Sequence, residues 1–144
     1  MNIGVLRTIF TSLGIACAVQ FILHQIQSDF VFIFLKSNIT NLQVALLAVN
    51  TATLGIVLTK IRELIDKTGR RAEFEATKNE MLLSIKEQVA LVAASLLVVA
   101  FESAKNLPVI VPSDAFQAIL IALFIYSIMV LYDTAKSVFV ILDY

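Results

Sequence analysis

Apolar residues along the chain come in four long stretches separated by polar punctuation. Ile3 to Leu23 is interrupted mainly by Arg7, Thr8, Thr11, Ser12 and Gln20, and Leu42 to Thr59 carries no charge. Val89 to Phe101 is apolar apart from Ser95, and Ala115 to Tyr132 holds only Gln117 and Ser127 as clearly polar positions. At about 1.5 Å per residue, about 20 helical residues cross a hydrocarbon core about 30 Å thick. Three stretches meet that length directly; the third does so once Leu82, Leu83, Ile85 and Ala104 extend it into the interface. The pattern predicts an all-α integral membrane protein, one domain over residues 1–144. Its four transmembrane helices are expected near 3–23, 42–59, 86–104 and 115–132. Ala16-Cys17-Ala18 imitates a signal-peptide cleavage site, but Gly14 stands where a lipobox wants Leu, and the segment is read as a membrane helix.

The connection between the second and third stretches, residues 60–88, is predicted to be a helical hairpin that extends helices 2 and 3 out of the membrane. Leu64 and Ile65 continue the helix past Lys60, and Gly69 offers a left-handed stop. On the return arm Phe74, Met81, Leu82 and Ile85 recur at helical steps among charges of alternating sign. Phe30-Val31-Phe32-Ile33-Phe34-Leu35 is too short to span and too apolar for water, so it is expected in the interface or plugged against the other helices. Leu107 to Val111, bracketed by prolines, is read as a second short apolar loop.

Composition supports the membrane reading: 59% of the 144 residues are hydrophobic and 15% charged, against about 45–50% and about 25% in soluble domains. Basic and acidic residues balance at 11 each, and the hairpin's basic residues are offset by Glu63, Asp66, Glu73, Glu75, Glu80 and Glu87, so nucleic acid is not an expected partner. The placement of positive charge decides orientation. Seven of the 11 basic residues, Lys60, Arg62, Lys67, Arg70, Arg71, Lys78 and Lys86, lie in or beside the hairpin. Arg7 and Lys136 join them, leaving Lys36 and Lys105 for the other side. The positive-inside rule puts the hairpin and both termini in the cytoplasm, with a bacterial inner membrane as the simplest home.

Polar residues inside the spans carry the candidate chemistry, because each must find a partner away from water. Gln43 and Asn50 are seven residues apart, with Thr53 one turn on; Gln88, Ser95 and Glu102 repeat the same interval. These six form the candidate intramembrane stripe. If Thr59 lies level with Val89, Glu102 falls near Leu46, within reach of Gln43 or Asn50; its alternative partner is Lys105, one turn along. Glu102 is the first functional candidate because an intramembrane carboxylate is costly. Thr8, Ser12, Ala16, Gln20 and His24 make a comparable stripe on the first helix, where His24 reads as an interfacial tip. Gly14 with Ala18, Ala48 with Ala52, Ala90 with Ala94 and Ala118 with Ala122 are small enough for close helix approach. So small a bundle is expected to present polar stripes to another copy of itself, making it a homo-oligomer in the lipid bilayer. The hairpin residues Lys60, Arg62, Lys67, Arg70, Arg71 and Lys78 are the candidate surface for a cytoplasmic protein partner.

One His and one Cys supply no metal cluster, and no phosphate loop, nucleophile elbow or paired intramembrane carboxylate is present. No enzyme, cofactor or metal is therefore expected. A small proton-coupled transporter shares the length and span count but has an essential Glu in its first span, where this chain has none. Two readings remain: a membrane effector or pore gated through the hairpin, and a non-catalytic anchor or sensor that recruits a cytoplasmic partner. Four spans, tiny outer loops and a charged hairpin after Thr59, with Leu46 to Arg62 (LLAVNTATLGIVLTKIR) as the most distinctive stretch, resemble the small membrane proteins of bacterial anti-phage defence and phage-exclusion systems. That resemblance implies a protein that permeabilises or senses the inner membrane; no functional residue transfers with it.

Overall fold

The structure, a computed structural model, describes residues 3–69, 71–104 and 112–142. They form four helices, α1 (Ile3–Gln25), α2 (Phe30–Thr68), α3 (Arg71–Ser103) and α4 (Ser113–Leu142). All four are long and apolar enough to cross a membrane, the build of a multi-pass membrane protein.

α1 closes on Gln27, which adopts φ 50°. The Ser28 N–H reaches back to the Leu23 carbonyl and the Gln27 N–H to that of His24, a left-handed helix stop that satisfies two otherwise orphaned carbonyls. The chain reverses there and enters α2 at once. Phe30–Leu35, expected as a separate interfacial segment, is the opening of a single 39-residue helix. No proline interrupts the run, and a lone interior glycine, Gly55, costs only about 1 kcal/mol. α2 stops at Gly69, whose φ of 68° suits a residue without a Cβ and whose N–H bonds the Ile65 carbonyl at 2.8 Å.

Because α3 starts again at Arg71, residues equidistant from this turn face one another. Asn50 meets Gln88, and Lys36 meets Glu102. By the same register Thr59 falls level with Asn79 rather than Val89, a slide of about 15 Å from the sequence expectation. Glu102 is therefore carried away from Leu46 to Lys36. Its alternative partner Lys105 lies outside the described residues, as do Arg70 and Leu107 to Val111.

α4 is the central helix: α1, α2 and α3 all pack against it, and α2 and α3 also pack on each other. Ala16, Leu35, Ile121 and Ala122 make one buried cluster and Leu91, Tyr126 and Val130 another. The first-helix stripe is the face laid on α4, with Thr8, Ser12 and Ala16 buried, while His24 is exposed. Beyond the level of Asn50 the α2–α3 seam continues as Leu54, Val57, Ile61 and Met81. Around the outside, Phe10, Phe21, Phe30, Val49, Leu97 and Phe101 are exposed, an apolar perimeter far larger than a soluble monomer presents.

Charged and strongly polar residues collect at two levels. His24, Gln27, Asp29 and Asp114 line one cavity; Arg7, Glu80, Glu87, Asp133 and Lys136 line another, toward the hairpin. From Asp114 to Asp133 α4 rises about 28 Å, close to a hydrocarbon thickness. The matching length of α2 runs from Asp29 to about Asn50, and the whole 38-residue stretch Phe30–Lys67 is apolar enough to span. Lys36 lies within the matching length and pairs with Glu102.

Candidate functional site

Heptad spacing puts the polar residues of α2 and α3 on the faces that meet, and the register pairs them. Lys36 with Glu102 and Asn50 with Gln88 are cross-helix partners; midway between, the register sets Gln43 level with Ser95. Gln43, Asn50, Gln88 and Ser95 are each no more than 2% exposed. Four of the six stripe residues are thus enclosed in one bundle, and Thr53 and Glu102 are half-buried. Thr53 stands apart: its hydroxyl bonds the Val49 carbonyl of its own helix at 2.9 Å.

α4 supplies the remaining partners and sets the direction of every hydrogen bond. The Thr134 hydroxyl donates to the Val130 carbonyl, 3.0 Å away, so it can only accept from Ser84, at 2.9 Å. Ser84, with its one proton committed to Thr134, accepts from Asn50 Nδ2 at 2.8 Å. The same Nδ2 donates to Gln88 Oε1 at 3.0 Å. Asn50 is thereby oriented, and its Oδ1 is left without a protein partner. Two turns along α2 the logic repeats. Ser127 donates to the Leu123 carbonyl at 2.9 Å and accepts from Gln43 Nε2 at 3.1 Å, leaving Gln43 Oε1 unpartnered. Gln88 Nε2 and Ser95 Oγ are unpartnered as well. Buried polar atoms of this kind are rare and costly in a protein interior.

The polar core connects to space at the hairpin end. A cavity of about 420 Å³ lies between α1, α3 and α4, with Ser84 and Thr134 in its wall beside Glu80, Glu87 and Asp133. Tyr126 donates to Glu87 at 3.4 Å. At the opposite end a cavity of about 290 Å³ includes Gln20 and Gln117; Gln20 Nε2 donates to Gln117 Oε1 at 2.7 Å, and Gln20 Oε1 has no protein partner. Among the described residues no group of three or more His, Cys, Asp or Glu side chains is placed to hold a metal ion. The arrangement offers neutral donors and acceptors in a line, with carboxylates at its ends.

Of the hairpin candidates, Lys60 pairs with Glu63 at 3.3 Å, while Arg62, Lys67 and Lys78 are exposed. Arg71 opens α3. The sequence reading missed Ser84, Ser127, Thr134 and the role of Lys36. A signal was present: Ser127 and Thr134 are seven apart, and Ser84 stands one turn before Gln88. No protein-family model matches the chain, and no curated protein or solved structure shows significant similarity to it.

Proposed function

We propose that this protein is an inner-membrane effector that dissipates an ion gradient along the polar core between α2, α3 and α4, under control of its α2–α3 hairpin. The observation that carries this reading is the file of buried polar side chains, Gln43, Asn50, Gln88 and Ser95, each with an unpartnered atom, inside an apolar bundle. In this reading the bilayer lies between the Asp29/Asp114 level and the Glu87/Asp133 level, and the second span is residues 30–50. The positive-inside rule puts the hairpin and both termini in the cytoplasm. Control by the hairpin has a mechanical basis, because α2 and α3 run unbroken from the turn at Gly69 into the polar core. A partner that spreads the arms moves Asn50 against Gln88 and Lys36 against Glu102.

The conducting path lies within one protomer, so the effector does not need a second copy to complete it. The layout resemblance to anti-phage membrane proteins fits an effector that acts on the host's own membrane. The anchor or sensor reading draws support from the exposed Arg62, Lys67 and Lys78, a charged surface available to a cytoplasmic protein.

Expression in bacteria with a potential-sensitive dye tests the proposal, using an Asn50→Leu, Glu102→Leu double variant at matched membrane levels. Depolarisation by the parent and not by the variant is the expected result. An unchanged potential in both, with the hairpin able to capture a cytoplasmic protein, transfers the function to the anchor.

A further inference from the structure

We infer that the carried species is the proton, passed along water bound at the unpartnered atoms of the core; this rests on the conduction reading and names its substrate. The hydrogen-bond directions decide between water and a bare metal cation. α4 hydroxyls tied to their own helix carbonyls force the amide nitrogens of Asn50 and Gln43 toward Ser84 and Ser127. What remains is two acceptors, Asn50 Oδ1 and Gln43 Oε1, one donor, Gln88 Nε2, and the hydroxyl of Ser95. A sodium or potassium ion is repelled by an amide N–H₂ and needs oxygens on all sides. Water both donates and accepts, so it satisfies all four atoms, and buried waters occupy just such polar sites.

The ends of the line fit proton transfer. At the hairpin end Ser84 and Thr134 share a cavity wall with the Glu87 and Asp133 carboxylates, whose oxygens accept hydrogen bonds from water. At the other end Glu102 pairs with Lys36. Gln43, Asn50, Gln88 and Ser95 do not titrate near neutral pH, so a proton crosses their stretch only through water. At each hop one O–H bond forms on the receiving water as one breaks on the giving water, and one proton leaves at the far end for each that arrives.

The test is the full chain reconstituted in liposomes that enclose a pH-sensitive dye, with a potassium diffusion potential as driving force and radioactive sodium and chloride fluxes measured in the same vesicles. Proton flux well above that of empty vesicles, with sodium and chloride at the empty-vesicle level, is expected. Asn50→Leu lowers the proton flux at least tenfold, Ser95→Ala lowers it less, and Cys17→Ala, on the exposed face, leaves it unchanged. Sodium or chloride flux comparable to proton flux overturns the inference while sparing conduction; no flux of any ion overturns both. Magnetic-resonance detection of contact between water and the Gln88 side-chain amide in the intact protein gives a reading independent of transport. A dry Gln88 amide refutes the water path whatever the fluxes show.

Discussion

The seam between α2 and α3 is built in two opposite ways along its length. Toward the Lys36–Glu102 end its facing positions are polar, Gln43 and Ser95, then Asn50 and Gln88; toward the hairpin the same heptad continues as Val57 and Met81, packed with Leu54 and Ile61. Helices, register and spacing are shared, and only the chemistry inverts. The inversion follows the surroundings proposed for each half. In lipid the hydrophobic effect offers nothing to helix association, and directed hydrogen bonds with close packing hold helices together. In water apolar burial is the main driving force, and a polar seam would gain little. The point of inversion, just past Asn50, coincides with the level of Glu87 and Asp133, where the apolar band of α4 ends.

The largest effect is expected where apolar burial does the holding. Met81→Ala removes a side chain that is 4% exposed at the centre of the hairpin cluster, and such truncations cost about 2–5 kcal/mol. The arms would loosen first, since most of the side chains in this cluster come from α2 and α3 and α4 adds Val138. Amide hydrogen exchange across Leu54 to Ile61 and across Met81 reads this directly, with protection falling there before it falls in α4. Uniform loss of protection would mean that the hairpin is part of one cooperative unit and that the two halves of the seam do not differ in how they are held.

Breaking the ion pair comes next. Glu102→Gln leaves Lys36 within the apolar band without its counter-charge. Fully buried pairs lose about 3–5 kcal/mol in this way; here the side chains are 38% and 20% exposed, and about 1–2 kcal/mol is expected after screening. The double change Lys36→Met, Glu102→Leu should regain most of that stability, because neither charge is then left alone. Thermal unfolding in detergent micelles compares the three proteins. A double variant no better than the single one would remove the pair from the seam's energetics.

The helix faces and the stop at Gly69 are legible in the sequence, and the register is not. The seven-residue interval of Gln43 and Asn50, and of Gln88, Ser95 and Glu102, places each set on one helix face, and Gly69 marks the stop of α2. Register is not legible from the onset of charge at Lys60 and at Gln88, because the turn at Gly69 sets it, pairing Asn50 with Gln88. Phe30–Leu35 was separated from the second span by Lys36, Asn38 and Asn41, a polar run that looks like a break. A hydropathy reading has no means of seeing that Lys36 is matched by Glu102 on another helix. Ser84, Ser127 and Thr134 escaped for a related reason: hydroxyls are ordinary in helices, where they bond their own backbone. Their importance here lies in the partner each accepts from, which is a tertiary fact.

Two neighbouring polar residues on α2 give the finest test of the contrast. Asn50 donates to Ser84 and Gln88 on α3, whereas Thr53, less than one turn away, bonds only to Val49 of its own helix. Asn50→Leu removes two cross-helix bonds and is expected to cost about 1–2 kcal/mol, near the upper end for interhelical hydrogen bonds in membranes. Thr53→Val keeps the shape and the β-branch and deletes a bond that ties no helices together, so its effect is expected within about 0.5 kcal/mol of zero. Both are measured as unfolding midpoints in the same micelles. Equal losses would mean that polarity at this depth of α2 matters in itself, whatever it bonds to. A loss confined to Asn50 would tie the seam's stability to the direction of its hydrogen bonds, from α2 through Ser84 to Thr134 and the backbone of α4, which is the same ordering that leaves the Asn50 and Gln43 oxygens open to water.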